Sequence, residues 1–157
     1  MPDMRELIIE AAANEDDIAW AAHLMAGNEP WITLGRGYEQ SREALTRAGT
    51  ELFIARVSSE RVALLLLSPY GLAGSPYINS IAVDPAHRAA GIGSRLLEFA
   101  EQKFRARRFI FLCVSSFNQR AEALYRRCGY ELVGELKDYV VEGKSELLYR
   151  KRLKRNS

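Results

Sequence analysis

Cysteine and histidine are scarce in this sequence: Cys113, Cys128, His23 and His87 are the whole supply. Two thiols do not make a disulfide framework, so nothing calls for an oxidising compartment. Four such residues at unrelated spacings do not form a metal-ligand pattern, so no metal is expected. Five prolines and 11 glycines among 157 residues, with 27% of the chain charged and 48% apolar, exclude collagen-like, low-complexity and disordered classes. The longest apolar run, Val62–Leu67, is about a third of a membrane-spanning length, so no membrane partner is expected. Asp3, Arg5 and Glu6 stand where a secretory leader carries a basic start and an apolar stretch. No leader is therefore expected, and the cytoplasm is the expected compartment.

What remains fits one domain over residues 1–157, at roughly 100–200 residues per domain, with a sizeable core. The net charge of +2 is unevenly spread. Residues 1–83 hold 6 Lys/Arg against 11 Asp/Glu, whereas residues 84–157 hold 16 against 9. A basic half suits an anionic partner, although ordinary surface scatter gives the same count. The tail Arg150-Lys151-Arg152-Leu153-Lys154-Arg155 has five basic residues in six. No reader motif or aromatic platform accompanies it, so a solvated terminus is the plainer reading than nucleic-acid binding.

Periodicity predicts the elements. Leu7–Ile9 reads as a strand, and Asn14 with Asp17 as the cap of a helix carrying Ile18, Ala21, Ala22 and Met25. Glu29-Pro30-Trp31 breaks that helix, and a second runs from Tyr38 to Ala48, ending at Gly49. Glu51–Val57 alternates and Val62–Leu67 is continuously apolar, with Ser58-Ser59-Glu60-Arg61 as the turn between them. Ser68–Pro76 reads as a loop. Strand Tyr77–Val83, helix Ile92–Arg105 and strand Arg108–Val114 then make one βαβ unit with parallel strands. In its helix Ile92, Leu96, Ala100 and Phe104 recur at fourfold spacing. Helix Asn118–Arg127 closes at Gly129, and Tyr130–Leu136 with Ser145–Arg152 forms a last strand pair.

The chemistry concentrates in Val83-Asp84-Pro85-Ala86-His87-Arg88-Ala89-Ala90-Gly91-Ile92-Gly93-Ser94. A strand ends and a helix begins at two glycines, where unpaired N–H groups and the helix dipole favour an anion such as phosphate. Gly91 and Gly93 let a ligand approach the backbone with no Cβ in the way. A dinucleotide fingerprint needs a small residue where Leu96 stands. A Walker loop needs Gly-Lys-Ser/Thr where the chain has Gly93-Ser94-Arg95. Both fail on residue identity.

Arg88-x-x-Gly91-x-Gly93, followed by Asn118-Gln119-Arg120-Ala121-Glu122-Ala123-Leu124-Tyr125-Arg126-Arg127-Cys128-Gly129-Tyr130, resembles the GNAT superfamily, the acyl-CoA-dependent N-acyltransferases. In motif style it is nearest the ribosomal-protein-alanine N-acetyltransferases. The likeness is specific over residues 77–134. It implies an α/β sandwich: a mixed, mostly antiparallel bent sheet flanked by helices, with a splayed parallel strand pair holding CoA. It implies transfer of an acetyl group from acetyl-CoA to a primary amine in a ternary complex. The backbone from Ile81 through Ala82 to Val83 would hold the pantetheine arm, with the Val83 N–H as oxyanion donor. Arg88, Ala89, Ala90, Gly91, Ile92, Gly93 and Ser94 would surround the pyrophosphate. Asn118 would contact the pantetheine or diphosphate, and Tyr125 would stand by the sulfur as proton donor, its unperturbed pKa being about 10.

Each role has a plainer counterpart. Tyr125 shares a helical face with Ala121 and Cys128 and would also serve as packing. Asn118 would serve as a helix cap, and Arg88 as a solvated loop residue. Cys113 stands where the resemblance would place a glutamate base. It reads as a small core residue, with a covalent role only if its pKa is depressed. Glu29 is the candidate base, with Asp138 and Tyr139 as further residues of the acceptor side. A CoA-binding module without turnover is the alternative to an enzyme, and a homodimer is left open.

Overall fold

The computed structural model describes residues 6–88 and 90–153. Its elements run β1 (Leu7–Ala11), α1 (Glu15–Ala26), α2 (Tyr38–Leu45), β2 (Glu51–Val57), β3 (Glu60–Leu72), β4 (Ser75–Val83), α3 (Ile92–Lys103), β5 (Phe109–Ser115), α4 (Gln119–Arg127), β6 (Glu131–Lys137) and β7 (Ser145–Arg152). The strands form one sheet in the order β1-β2-β3-β4-β5-β7-β6. Only β4 and β5 are parallel; every other neighbouring pair is antiparallel. This is the expected mixed α/β sheet around one βαβ unit. Among the described residues no helix is long and apolar enough to cross a membrane.

A core lies on each face of the sheet. Ile92, Leu96, Leu97 and Ala100 of α3 and Tyr125 of α4 pack on Leu65, Leu67, Ile110 and Leu112. Ala21, Ala22 and Met25 of α1 and Leu45 of α2 pack on Ile54, Leu64 and Leu66. The central strand β3 is thus covered on both sides, which is why Val62–Leu67 is continuously apolar. The same cover buries Phe53, Ile54 and Ala55 together in β2, so the expected alternation there is broken. The fourfold positions Ile92, Leu96, Ala100 and Phe104 are all buried, as their spacing predicted.

The start of α1 is fixed by Asn14, whose side chain accepts from the Asp17 N–H at 2.9 Å. Asp17 is wholly buried and accepts from the Ala13 N–H and from the guanidiniums of Arg56 and Arg61. Burial pushes its carboxyl up, but the Ala13 N–H and the two guanidiniums outweigh burial and hold it below the usual range. One residue of the cap thereby ties α1 to β2 and β3. Stability from this clamp is full above the unfolded carboxylate range and is lost as pH falls through the lowered folded value.

Three differences from the sequence reading have a local physical cause. The expected loop Ser68–Pro76 is instead a hairpin end: β3 runs on to Leu72, and the chain reverses at Ala73 and Gly74, with φ of 50° and 82°. Pro69 falls in a register break between Ser68 and Leu72, where the ladder asks no N–H of it. The turn after β2 tightens to Ser58 and Ser59, both at positive φ, so Glu60 and Arg61 belong to β3. Helix α2 stops at Leu45, short of Ala48, because Thr46 Oγ1 donates to the Arg42 carbonyl at 2.9 Å and closes the last turn.

Candidate active site

The parallel pair holds over two positions, Tyr77 with Phe111 and Ile78 with Leu112. Beyond them β4 and β5 no longer pair, and the gap opens into a cleft of about 760 Å³. The α1–α2 loop, the starts of α3 and α4, and β7 complete its walls. The Asp84 N–H donates to the Val62 carbonyl at 2.8 Å, towards β3. Alternation along an extended strand turns the N–H and C=O of Val83 and Ile81 the other way, into the gap. Ala82, between them, pairs with Leu64 of β3 and packs its methyl into the α1 core.

At the outer end of β4, Asp84 accepts from the Ala86 N–H at 2.9 Å and starts a 3-10 turn, Pro85–His87. Gly91 then caps α3 in the left-handed conformation, φ 79°, which a side chain would strain. No side chain caps α3, so the first-turn N–H groups of Ile92, Gly93 and Ser94 keep their positive end of the dipole. Gly93 has a second reason to be glycine: a Cβ there would stand 2.8 Å from Leu124 Cδ2, between α3 and α4. The Arg88 guanidinium donates to Asn28 Oδ1 at 3.3 Å. Partial burial, and then the neighbouring Arg120, depress its pKa against the pull of Asp84. Two like charges brought together at a helix start favour an anion between them.

Most of the expected binding residues meet on this cleft: Ile81, Ala82, Val83, Arg88, Gly91, Ile92, Gly93, Ser94, Asn118 and Tyr125 all line it. Ala90 packs against the α3 core instead. Ala89, like Lys154 and Arg155 of the basic tail, lies outside the described residues. Asn118 caps α4, accepting from the Ala121 N–H at 3.4 Å, and lines the cleft as well, so its two readings coexist. Tyr125 is 8% exposed and tilts against the Tyr130 ring. Among the described residues nothing hydrogen-bonds its hydroxyl, and burial pushes its pKa up to about 12.

One expectation needs correction. Cys113 is not a core residue but half-buried in the cleft wall. Burial raises its pKa, Tyr77 works against the rise and Glu146 adds to it, so at neutral pH it is a thiol rather than an activated thiolate. Glu29 touches the cleft but is exposed. Its two oxygens accept from the Thr33 N–H at 2.9 Å and the Thr33 hydroxyl at 2.7 Å, and these bonds hold its carboxyl low. Bonds of this kind favour the charged form of the carboxyl. Asp138 accepts from the Gly143 N–H and shapes the β6–β7 turn, and His23 stacks on Tyr38 between α1 and α2. Sequence reasoning missed Ser115, Glu146 and Arg120, which also line the cleft. None sits in a motif position with a chemical signature; only the strand register brings Glu146 to the cleft.

The model of the acetyltransferase (GNAT) family matches residues 9–130. Among solved structures, an aminoglycoside 6'-N-acetyltransferase complexed with coenzyme A shares the fold, with a TM-score of 0.77 at 17% identity over 96% of this chain and 99% of that one. A GNAT-family protein from Desulfovibrio desulfuricans gives 0.76 at 20% identity, covering 94% and 99%. The ribosomal-protein-S18-alanine N-acetyltransferase from Escherichia coli gives 0.73 at 18%, covering 96% of each chain. An uncharacterized protein from Mycobacterium leprae is 45% identical over 58 residues, 36% of this chain, and this chain spans 16% of its length.

Proposed function

The chain belongs to the GNAT acetyltransferase family, and from that premise we propose that it moves the acetyl group of acetyl-CoA directly to a primary amine within a ternary complex. The observation that carries the reading is the cleft itself: a splayed strand pair whose free backbone groups face inward, leading to an uncapped helix start beside two arginines. That a protein of the same fold was crystallised with coenzyme A supports the choice of donor.

On this reading the backbone of Ile81 and Val83 pairs with the amides of the pantetheine arm as an extra strand would. The Val83 N–H meets the thioester oxygen, where negative charge grows as the amine adds. The first turn of α3 and Arg88 take the diphosphate, and Asn118 touches the arm beside it. The Tyr125 phenol, held protonated by its burial, donates to the departing sulfur. Holding both substrates in one cleft supplies much of the rate, so no acyl-enzyme is needed.

The test is a screen of amines with acetyl-CoA: a peptide with a free N-terminus, a lysine peptide, a polyamine, an amino acid and an aminoglycoside, each followed by thiol release. Calorimetry measures CoA binding alongside. Release with at least one amine is expected. Tight CoA binding with no release from any amine would point to a CoA-sensing module, and absence of CoA binding would sink the reading.

A further inference from the structure

Resting on the acetyltransferase reading, we infer that Glu146 and Ser115 form the subsite for the acceptor's ammonium group, with the Glu146 carboxylate taking its proton. Ser115 of β5 and Glu146 of β7 are partners in the antiparallel ladder. Directly opposed residues project their side chains to the same face of the sheet, about 5 Å apart at Cβ. Both line the cleft where β5 has parted from β4.

Each of the two is short of a partner. Ser115 is 2% exposed, yet its Oγ has no hydrogen bond. Among the described residues no hydrogen bond or ion pair engages the Glu146 carboxylate. Its titratable neighbours are the Cys113 thiol and the Tyr77 hydroxyl, both of which it drives toward their neutral forms. The Tyr139 hydroxyl, from the β6–β7 turn, acts on Tyr77 in the same direction. A buried oxygen acceptor and a carboxylate with no ion-pair partner among the described residues are complementary to a group with several N–H donors and a positive charge. A primary ammonium is such a group. A hydroxyl or amide acceptor has no charge to offer and is disfavoured.

The proton accounting closes. The ammonium gives one proton to Glu146, and the freed lone pair forms the new C–N bond at the thioester carbon. The C–S bond breaks with its electrons on sulfur. The second proton leaves the acylated nitrogen and reaches the sulfur by way of the Tyr125 hydroxyl, while Glu146 returns its own proton to solvent.

The experiment compares the unaltered protein with Glu146→Gln, Glu146→Ala and Ser115→Ala on the same amine panel, with melting curves and acetyl-CoA calorimetry for each. Glu146→Gln should lower kcat/KM for the amine by about 10²-fold or more, the range of general bases, with acetyl-CoA affinity within about twofold. Sodium formate should restore part of the turnover of Glu146→Ala where sodium chloride at equal ionic strength does not. Ser115→Ala should raise KM for the amine several-fold at nearly unchanged kcat. Turnover by Glu146→Gln at the unaltered rate overturns this inference and leaves the acetyltransferase standing. A loss of acetyl-CoA affinity in Glu146→Ala that formate leaves untouched marks a merely structural role and overturns it too. No turnover by the unaltered protein with any amine overturns both.

Discussion

At one end of the cleft the working groups are main-chain N–H donors from a single stretch, Val83–Ser94, with Arg88 and Arg120 beside them. At the other end they are side chains, Cys113, Ser115 and Glu146, delivered by β5 and β7. The difference has a physical consequence. Main-chain donors are the same whatever residue carries them, so they suit a ligand that never changes, on the proposed reading the diphosphate and arm of the donor. Side chains carry charge and shape that substitution alters freely, so they suit the partner that must be selected. On the proposed reading the donor end fixes what kind of reaction runs, and the acceptor end fixes on what.

Tyr125 lines the same cleft, and replacing it tests whether the two ends meet in one reaction. Phe keeps the ring against Tyr130 and removes the hydroxyl, the group that burial keeps protonated. Turnover should fall by about 10²-fold or more, the range of general acids, with the loss in kcat and acetyl-CoA affinity nearly unchanged. A thioester with a more acidic leaving thiol should recover part of the rate. Steady-state kinetics on both donors checks this; a Phe variant at the native rate would make Tyr125 packing alone.

The next largest effect belongs to the donor end. Gly91→Val should weaken acetyl-CoA binding tenfold or more, about 1.4 kcal/mol. The positive φ of Gly91 adds a cost that the sequence did not reveal, since a β-branched residue there is strained with or without ligand, by roughly 1–2 kcal/mol. The melting temperature should therefore drop as well. Calorimetry at a temperature where the variant is folded separates the two losses. Equal affinity would remove the diphosphate from the start of α3.

At the acceptor end the corresponding substitution should do less. Cys113→Ala removes a thiol that burial keeps neutral. A stability loss of about 1 kcal/mol, with turnover per folded molecule nearly unchanged, is the expected outcome. Trapping an acetyl-thioester on Cys113 by mass spectrometry would overturn this and make the acceptor end a covalent site.

The donor end was legible in the sequence because its parts are contiguous. Strand, loop, two glycines and helix appear in order from Val83 to Ser94, and Asn118 and Tyr125 follow on the next helix. The βαβ unit and the buried fourfold stripe of α3 were legible for the same reason, being set by local periodicity. The acceptor end was not. Glu146 comes to the cleft because β7 inserts between β5 and β6, a choice of strand order that local sequence does not encode. Glu29 looked suitable from its place in the α1–α2 loop. Only the geometry shows that Thr33, one turn on, had already taken both of its oxygens. Prolines at 69 and 76 misled in the opposite sense, since a register break tolerates what a regular ladder would not.

The smallest effect is expected at Glu29, and it sharpens the contrast most narrowly, because Glu29 and Glu146 are both carboxylates on the same cleft. Glu29 is exposed and already accepts two hydrogen bonds from Thr33; Glu146 accepts none from the described residues. Gln keeps one carbonyl oxygen to hold the Thr33 N–H and loses the charge and the acceptor for the Thr33 hydroxyl. If the Glu29 carboxylate does no proton transfer, turnover should stay within about twofold of native at neutral pH, well short of the factor that a general base supplies. The bonds to Thr33 depress the folded pKa, so their small contribution to stability is present above the unfolded carboxylate range and fades as pH falls through the lowered value. Melting curves of the two proteins should accordingly differ most at neutral pH and converge in acid. A hundredfold fall in turnover on Glu29→Gln, beside an unaffected Glu146→Gln, would exchange the roles of the two carboxylates and move the acceptor subsite to the α1–α2 loop.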